Sequence, residues 1–162
     1  MAFRGTASSA LLALSTLVAL GAGIAGPAMA ADDDPARFTY VRLHCTPDNE
    51  SHFSDVTIDL AKENFAPPAA PIAIGGNQQA SRAFIAGFEA NWGADDLKSR
   101  RNHPTPAVQL FTVLEGVFSI TVTDGETRQL NPGDVVRLED VAPCKGHITV
   151  VGDKPGHLLF AR

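Results

Sequence analysis

Two tight-turn signals, Asp124-Gly125 and Asn131-Pro132-Gly133-Asp134, sit between runs of β-branched and aromatic residues and constrain this chain more than any other feature. Asp-Gly suits a two-residue hairpin, whose central residues need positive φ. In the second signal Pro presets φ and Gly accepts a left-handed geometry. Phe118, Ile120 and Val122 alternate with Ser119, Thr121 and Thr123, the period of a strand with one buried face. Val135–Leu138, Ile148–Val151 and Leu158–Phe160 continue the series. Val108–Leu114 is apolar on both parities and predicts a strand covered on both faces. Nearer the N-terminus, Val56, Ile58 and Leu60 alternate with Asp55, Thr57 and Asp59, which places the three aliphatics inward. Between Phe65 and Ile72 stand Pro67, Pro68 and Pro71, incompatible with a helix or a central strand, so this stretch reads as an extended surface crossing. In Ser81–Trp92 the residues Phe84, Phe88 and Trp92 fit either period, and Gly87 favours a bending strand over a helix. Gly93–Pro106 reads as a charged loop holding Asp95, Asp96, Lys98, Arg100, Arg101 and His103. Short strands, Gly/Pro/Asp turns and no long helix predict an all-β sandwich or barrel.

The first thirty residues carry a different signal. Arg4 precedes an almost unbroken Ala, Leu, Val and Gly stretch from Ala10 to Ile24, and Ala28-Met29-Ala30 has the small-x-small form of a cleavage site. The pattern predicts a secretory signal peptide over 1–30, shorter in its apolar core than the ~20 residues of a spanning helix. A periplasmic or extracellular location follows, with no membrane attachment after cleavage. Residues 31–37, with three consecutive Asp, read as a disordered leader, and 38–162 as a single domain. With 13 basic and 18 acidic residues and a net charge of −5, the chain lacks the basic patch of a nucleic-acid or polybasic membrane binder.

Two cysteines remain after the leader, Cys45 and Cys144. In an oxidising compartment they are candidates for a bridge, the alternatives being two free thiols or a thiol near a site. Spacing alone leaves these open.

The run from Leu114 to Leu138, LEGVFSITVTDGETRQLNPGDVVRL, resembles the central part of a cupin: Gly at a strand end, a strand–Asp-Gly–strand hairpin, then Pro-Gly-Asp before the next strand. The resemblance spans roughly residues 80–160, and the segment from Ser51 to Val56 is similar to the opening strand of small single-domain bacterial cupins. It implies a cupin-type jelly roll with an N-terminal extension. It also implies a metal site built from two motifs, and here this chain departs from the family. Anchored on Gly116, the first motif puts His103 at its first His position, Thr105 at the second and Gln109 at the Glu position; His147 is the candidate from the second motif. His103, Gln109 and His147 would then offer a divalent transition metal (Zn, Ni, Mn or Fe) two imidazoles and one neutral amide, without a carboxylate to offset its charge. Glu115 falls at the turn beside Gly116 and does not supply one.

The remaining titratable groups read as ordinary surface or structural residues. His52 shares the parity of Val56 and is expected at a rim, and His44 and His157 lack partners at ligand spacing. The pairs Asp95–Asp96 and Glu139–Asp140 are expected to be solvated. Nucleophile-elbow, zinc-protease and phosphate-loop motifs are missing from the sequence. The resemblance implies a small-molecule pocket at the barrel mouth, with His103, Thr105, Gln109 and His147 as its polar residues. Two other readings stand beside it: a metal-dependent cupin enzyme of oxygenase or isomerase type, and a non-catalytic envelope module. Alternating apolar residues in Phe38–Leu43 predict an exposed edge strand through which a homodimer forms.

Overall fold

A computed structural model describes residues 35–94 and 101–162. Residues 1–30, expected to be a signal peptide, residues 31–34 of the expected leader, and Asp95, Asp96, Lys98 and Arg100 of the charged loop lie outside the described residues. Eleven strands are formed: β1 (Arg37–Cys45), β2 (Ser51–Asp59), β3 (Ala61–Glu63), β4 (Ile72–Ile74), β5 (Ala83–Phe88), β6 (Gln109–Glu115), β7 (Phe118–Val122), β8 (Thr127–Leu130), β9 (Val135–Leu138), β10 (His147–Val151) and β11 (Gly156–Ala161). They make an all-β, cupin-type jelly roll. A six-stranded sheet of order β2-β1-β9-β6-β11-β5 faces a three-stranded sheet of order β10-β7-β8, and β3 pairs only with β4.

The turns behave as their chemistry requires. Gly125, at φ +92°, closes the β7–β8 hairpin by donating to the Val122 carbonyl (3.0 Å), and Asp124 Oδ1 accepts from Glu126 N–H (2.7 Å). Asp134 folds the second turn, accepting from Asn131 N–H at 2.7 Å, and carries the chain from the small sheet to the large one. Between the sheets lies the core. Val41, Leu43, Phe111, Val136 and Leu158 face inward from the large sheet, and Phe118, Ile120, Leu130 and Val151 from the small one. Each such side chain contributes roughly 1.5–3 kcal/mol of burial.

Four expectations change. Phe38–Leu43 is not an edge along its whole length: over Val41–Leu43, β1 is held between antiparallel β2 and parallel β9, and only Phe38–Tyr40 pair with β2 alone. In β2 the fully buried residues are Ser51 and Phe53, and Val56 and Ile58 are only half-buried. A Cβ on Gly76 would meet Ile58 Cδ1 at 2.6 Å and one on Gly75 would meet Leu60 Cδ2 at 2.7 Å, so this arm covers the outer half of β2. Strand β6 is covered on one face only, for Gln109, Phe111 and Val113 are buried whereas Leu114 is exposed. Ordered pairing starts ahead of Phe38, because Arg37 opens β1 and the Ala36 carbonyl accepts from Leu60 N–H at 2.6 Å. Ser81–Trp92 resolves as strand β5 followed by a turn.

Candidate functional site

Segment 101–108 forms no strand, yet His103 and His147 face each other as an antiparallel bridge. Each backbone N–H donates to the other's carbonyl, at 3.0 and 3.1 Å, so both side chains leave the same face. Their rings lie 4.8 Å apart, tilted by 48°. Gly146 makes the approach possible. With φ +83°, it sits so close that a Cβ there would meet the carbonyl C and O of His103 at 2.1 Å.

The loop after β9 supplies the support. Asp140 is wholly buried, and its Oδ2 accepts from His147 Nδ1 at 2.6 Å. A carboxylate fixed on Nδ1–H sets the tautomer and leaves Nε2 as the ring's lone-pair nitrogen. His103 Nδ1 is used in the same way, toward the Arg101 carbonyl at 3.3 Å. Gln109 Nε2 donates to Thr105 Oγ1 at 2.9 Å, and that hydroxyl donates to the Ala107 carbonyl at 3.3 Å. The loop itself is tied down at several points. Cys45 and Cys144 form a disulfide with Cα atoms 5.8 Å apart. Lys145 N–H donates to the Asn49 carbonyl (2.9 Å), Ser51 Oγ donates to the Gly146 carbonyl (2.6 Å), and Thr105 N–H donates to the Asp140 carbonyl (3.1 Å).

These groups open on a cavity of about 120 Å³ between the sheets. His103, Thr105, Gln109 and His147 all line it, with Phe88, Trp92, Phe111, Phe118 and Phe160 as aromatic walls. Thr105, Gln109 and His147 are buried, and His103 is exposed at the mouth. Trp92 is tied to β10 by the Val151 N–H, which donates to its carbonyl (2.9 Å), and it meets Phe88 edge-on at 5.2 Å. Among the described residues no Lys or Arg lines the cavity.

Asp140 corrects the sequence expectation most sharply. The Glu139–Asp140 pair was expected in solvent, but the two side chains diverge into different environments. Glu139 binds Arg42 (2.6 Å) and Arg137. Burial raises its carboxyl, and the two guanidiniums more than reverse this, leaving it below the usual carboxylate range. Asp140 continues the inward parity of Val136 and Leu138, a signal present in the sequence. The other histidines stay apart from the cavity. His52 pairs with Asp124 Oδ2 at 2.7 Å, His157 with Glu115 Oε2 at 3.0 Å, and His44 donates to the His52 carbonyl at 3.0 Å.

As a metal site the donor set is selective. Among the described residues no three of His, Cys, Asp and Glu are grouped to hold an ion. Were a divalent ion bound, the two imidazoles and the Gln109 amide would be its protein donors, with Asp140 behind His147 orienting that ring. They do not fit the two-His, one-carboxylate pattern of a ferrous oxygenase, because the Asp140 carboxylate is committed to His147 Nδ1.

Residues 98–154 match the EutQ-like cupin domain family. No curated protein matches the chain. Among solved structures, one from Salmonella typhimurium LT2 assigned as an ethanolamine utilization protein Q (EutQ) is 12% identical. The alignment covers 76% of this chain and 94% of that one, with a TM-score of 0.29.

Proposed function

We propose that this chain is a secreted or periplasmic cupin-domain protein that binds a small molecule in its barrel cavity, at a site that also accepts a divalent metal. One observation carries the reading: four polar residues spread from position 103 to 147 converge on a single aromatic-walled cavity. Their backs are fixed by Asp140, the Arg101 carbonyl and Ala107, so the groups facing inward are preorganised. His103, His147 and Gln109 would hold the ion, which supplies Lewis acidity when bound.

Ligand-observed NMR with a set of small polar fragments tests this. Binders are expected with the wild type and lost with Thr149→Phe, which fills the cavity from β10. Binding unchanged by that substitution would place the ligand elsewhere. Metal analysis of protein purified without an affinity tag separates the enzyme reading. Near-stoichiometric Fe, Mn, Ni or Zn, lost in His103→Ala and His147→Ala, would favour a metal-dependent enzyme, and no metal in either form would favour a pocket that binds its small molecule without one. That reading draws support from Asp140, whose hydrogen bond to Nδ1 fixes the orientation of the His147 ring.

The expected homodimer moves to a different edge. Strand β5 ends the six-stranded sheet and carries no charged residue, whereas the opposite edge, β2, carries Asp55 and Asp59, whose ion pairs with Arg128 and Arg37 a second copy would have to desolvate. Sedimentation at micromolar concentration should give a dimer mass, reduced to monomer by Ile85→Lys.

A further inference from the structure

The hydrogen bonds already made around the cavity decide which polar atoms are left for a ligand. His147 Nδ1–H is given to Asp140 and His103 Nδ1–H to the Arg101 carbonyl. With neutral rings, both therefore present an Nε2 lone pair. The Gln109 amide nitrogen donates to Thr105 Oγ1, whose own hydrogen goes to the Ala107 carbonyl. This relay orients the amide and leaves its Oε1 as an acceptor. Behind His147, Asp140 Oδ1 is buried with no hydrogen-bond partner. The Asp140 carboxyl group thus stands one ring away from the cavity, and no Lys or Arg is among the lining residues.

Resting on the small-molecule reading above, we infer that the cavity selects a small primary ammonium. Such a group has three donors and no acceptor, the complement of two imidazole Nε2 atoms and one amide oxygen. A carboxylate of the same size would meet those lone pairs with its own and would have the Thr149 hydroxyl and the Trp92 indole N–H as its donors among the lining side chains. The alkyl body would lie against Phe88, Phe118 and Trp92, whose ring faces also favour a desolvated cation. A cavity of about 120 Å³ suits a small ligand with a short alkyl body.

Trp92 is the single tryptophan and lines the cavity, so its fluorescence reports occupancy directly. Metal-stripped protein at pH 8 is titrated with n-butylammonium, butyrate and 1-butanol. Butylammonium should bind at least tenfold more tightly than the other two. Gln109→Met, close in volume but without the amide oxygen, should weaken butylammonium at least fivefold at unchanged far-UV circular dichroism. His103→Phe, at the exposed mouth, serves the same purpose should the first variant not fold. Butyrate or butanol binding as tightly as butylammonium would overturn the ammonium preference alone and leave the pocket reading standing. No response to any of the three would overturn the pocket reading as well.

Discussion

Gly146→Ala isolates the contact that assembles the site. The new Cβ would lie 2.1 Å from the His103 carbonyl C and O and 2.3 Å from Pro104 N, and all three are backbone atoms that no rotamer change can move aside. Ordinary contact begins near 3.4 Å, so segment 103–104 must retreat by more than about 1 Å. That retreat breaks the paired bonds of 3.0 and 3.1 Å between His103 and His147, a loss of about 0.5–1.5 kcal/mol each. Placing Ala at φ +83° adds roughly 1–2 kcal/mol. The sum is about 2–5 kcal/mol, and at about 3–5 °C per kcal/mol the thermal midpoint should fall by about 6–25 °C. Gly133→Ala is the control, because its φ is +97° yet a Cβ there meets nothing within 4 Å, so only the conformational cost of roughly 1–2 kcal/mol applies. Urea denaturation of both variants measures the difference. Equal destabilisation by the two substitutions would refute the steric account of how His103 and His147 are brought together.

Removing the bridge with Cys45→Ser and Cys144→Ser frees a closed segment of 99 positions, and the chain-entropy relation puts the loss near 4–5 kcal/mol; a cost under about 1 kcal/mol by urea unfolding would contradict it. Stability should fall in two stages on acidification. Burial and Arg42 lower the His44 pKa, so its contribution is complete above the unfolded value near 6.5 and is lost as pH falls through the lower folded value. Glu139, held low by Arg42 and Arg137 against its burial, contributes above its unfolded value near 4.5 and is lost as pH falls through the folded one. His44→Gln should flatten the upper stage and Glu139→Gln the lower, read from unfolding free energies at pH 7, 5.5 and 3.5. Mass spectrometry of protein exported by a bacterial host should find Ala31 as the first residue; an intact Met1 would count against the signal peptide.

What was legible in the sequence follows the range of the interactions. Asp124-Gly125 and Asn131–Asp134 are local turn chemistry, and the strands they join, β7, β8 and β9, are where the alternation puts them. The edge assignment of Phe38–Leu43 failed because parallel pairing of β1 with β9 joins segments nearly a hundred positions apart, which no local pattern encodes. In β2 the alternation gave the strand but the wrong inner face, since Val56 and Ile58 are only half-buried, and Ile58 and Leu60 lie against the Gly75–Gly76 arm instead of in the core. His103 and His147 stood out only through the spacing of a family motif, and Asp140 was hidden by its neighbour. Adjacent acids read as a solvated pair, although strand parity sends the second inward.

That hidden carboxylate explains the placement of the disulfide. Asp140 and His147 bracket a loop that leaves β9 and enters β10, and a free loop of this kind would let the imidazole drift from its partner. Cys144, in the middle of the loop, is bonded to the end of β1, and Lys145 and Gly146 are hydrogen-bonded to Asn49 and Ser51 on the β1–β2 side. Fixing the loop at its centre holds both ends, so the Asp140–His147 bond is set before any ligand arrives. The bond that does this persists in an oxidising compartment and not in a reducing one. A preorganised site of this design therefore suits the exported location proposed from the N-terminal pattern, and reduction would loosen the cavity before it unfolded the barrel.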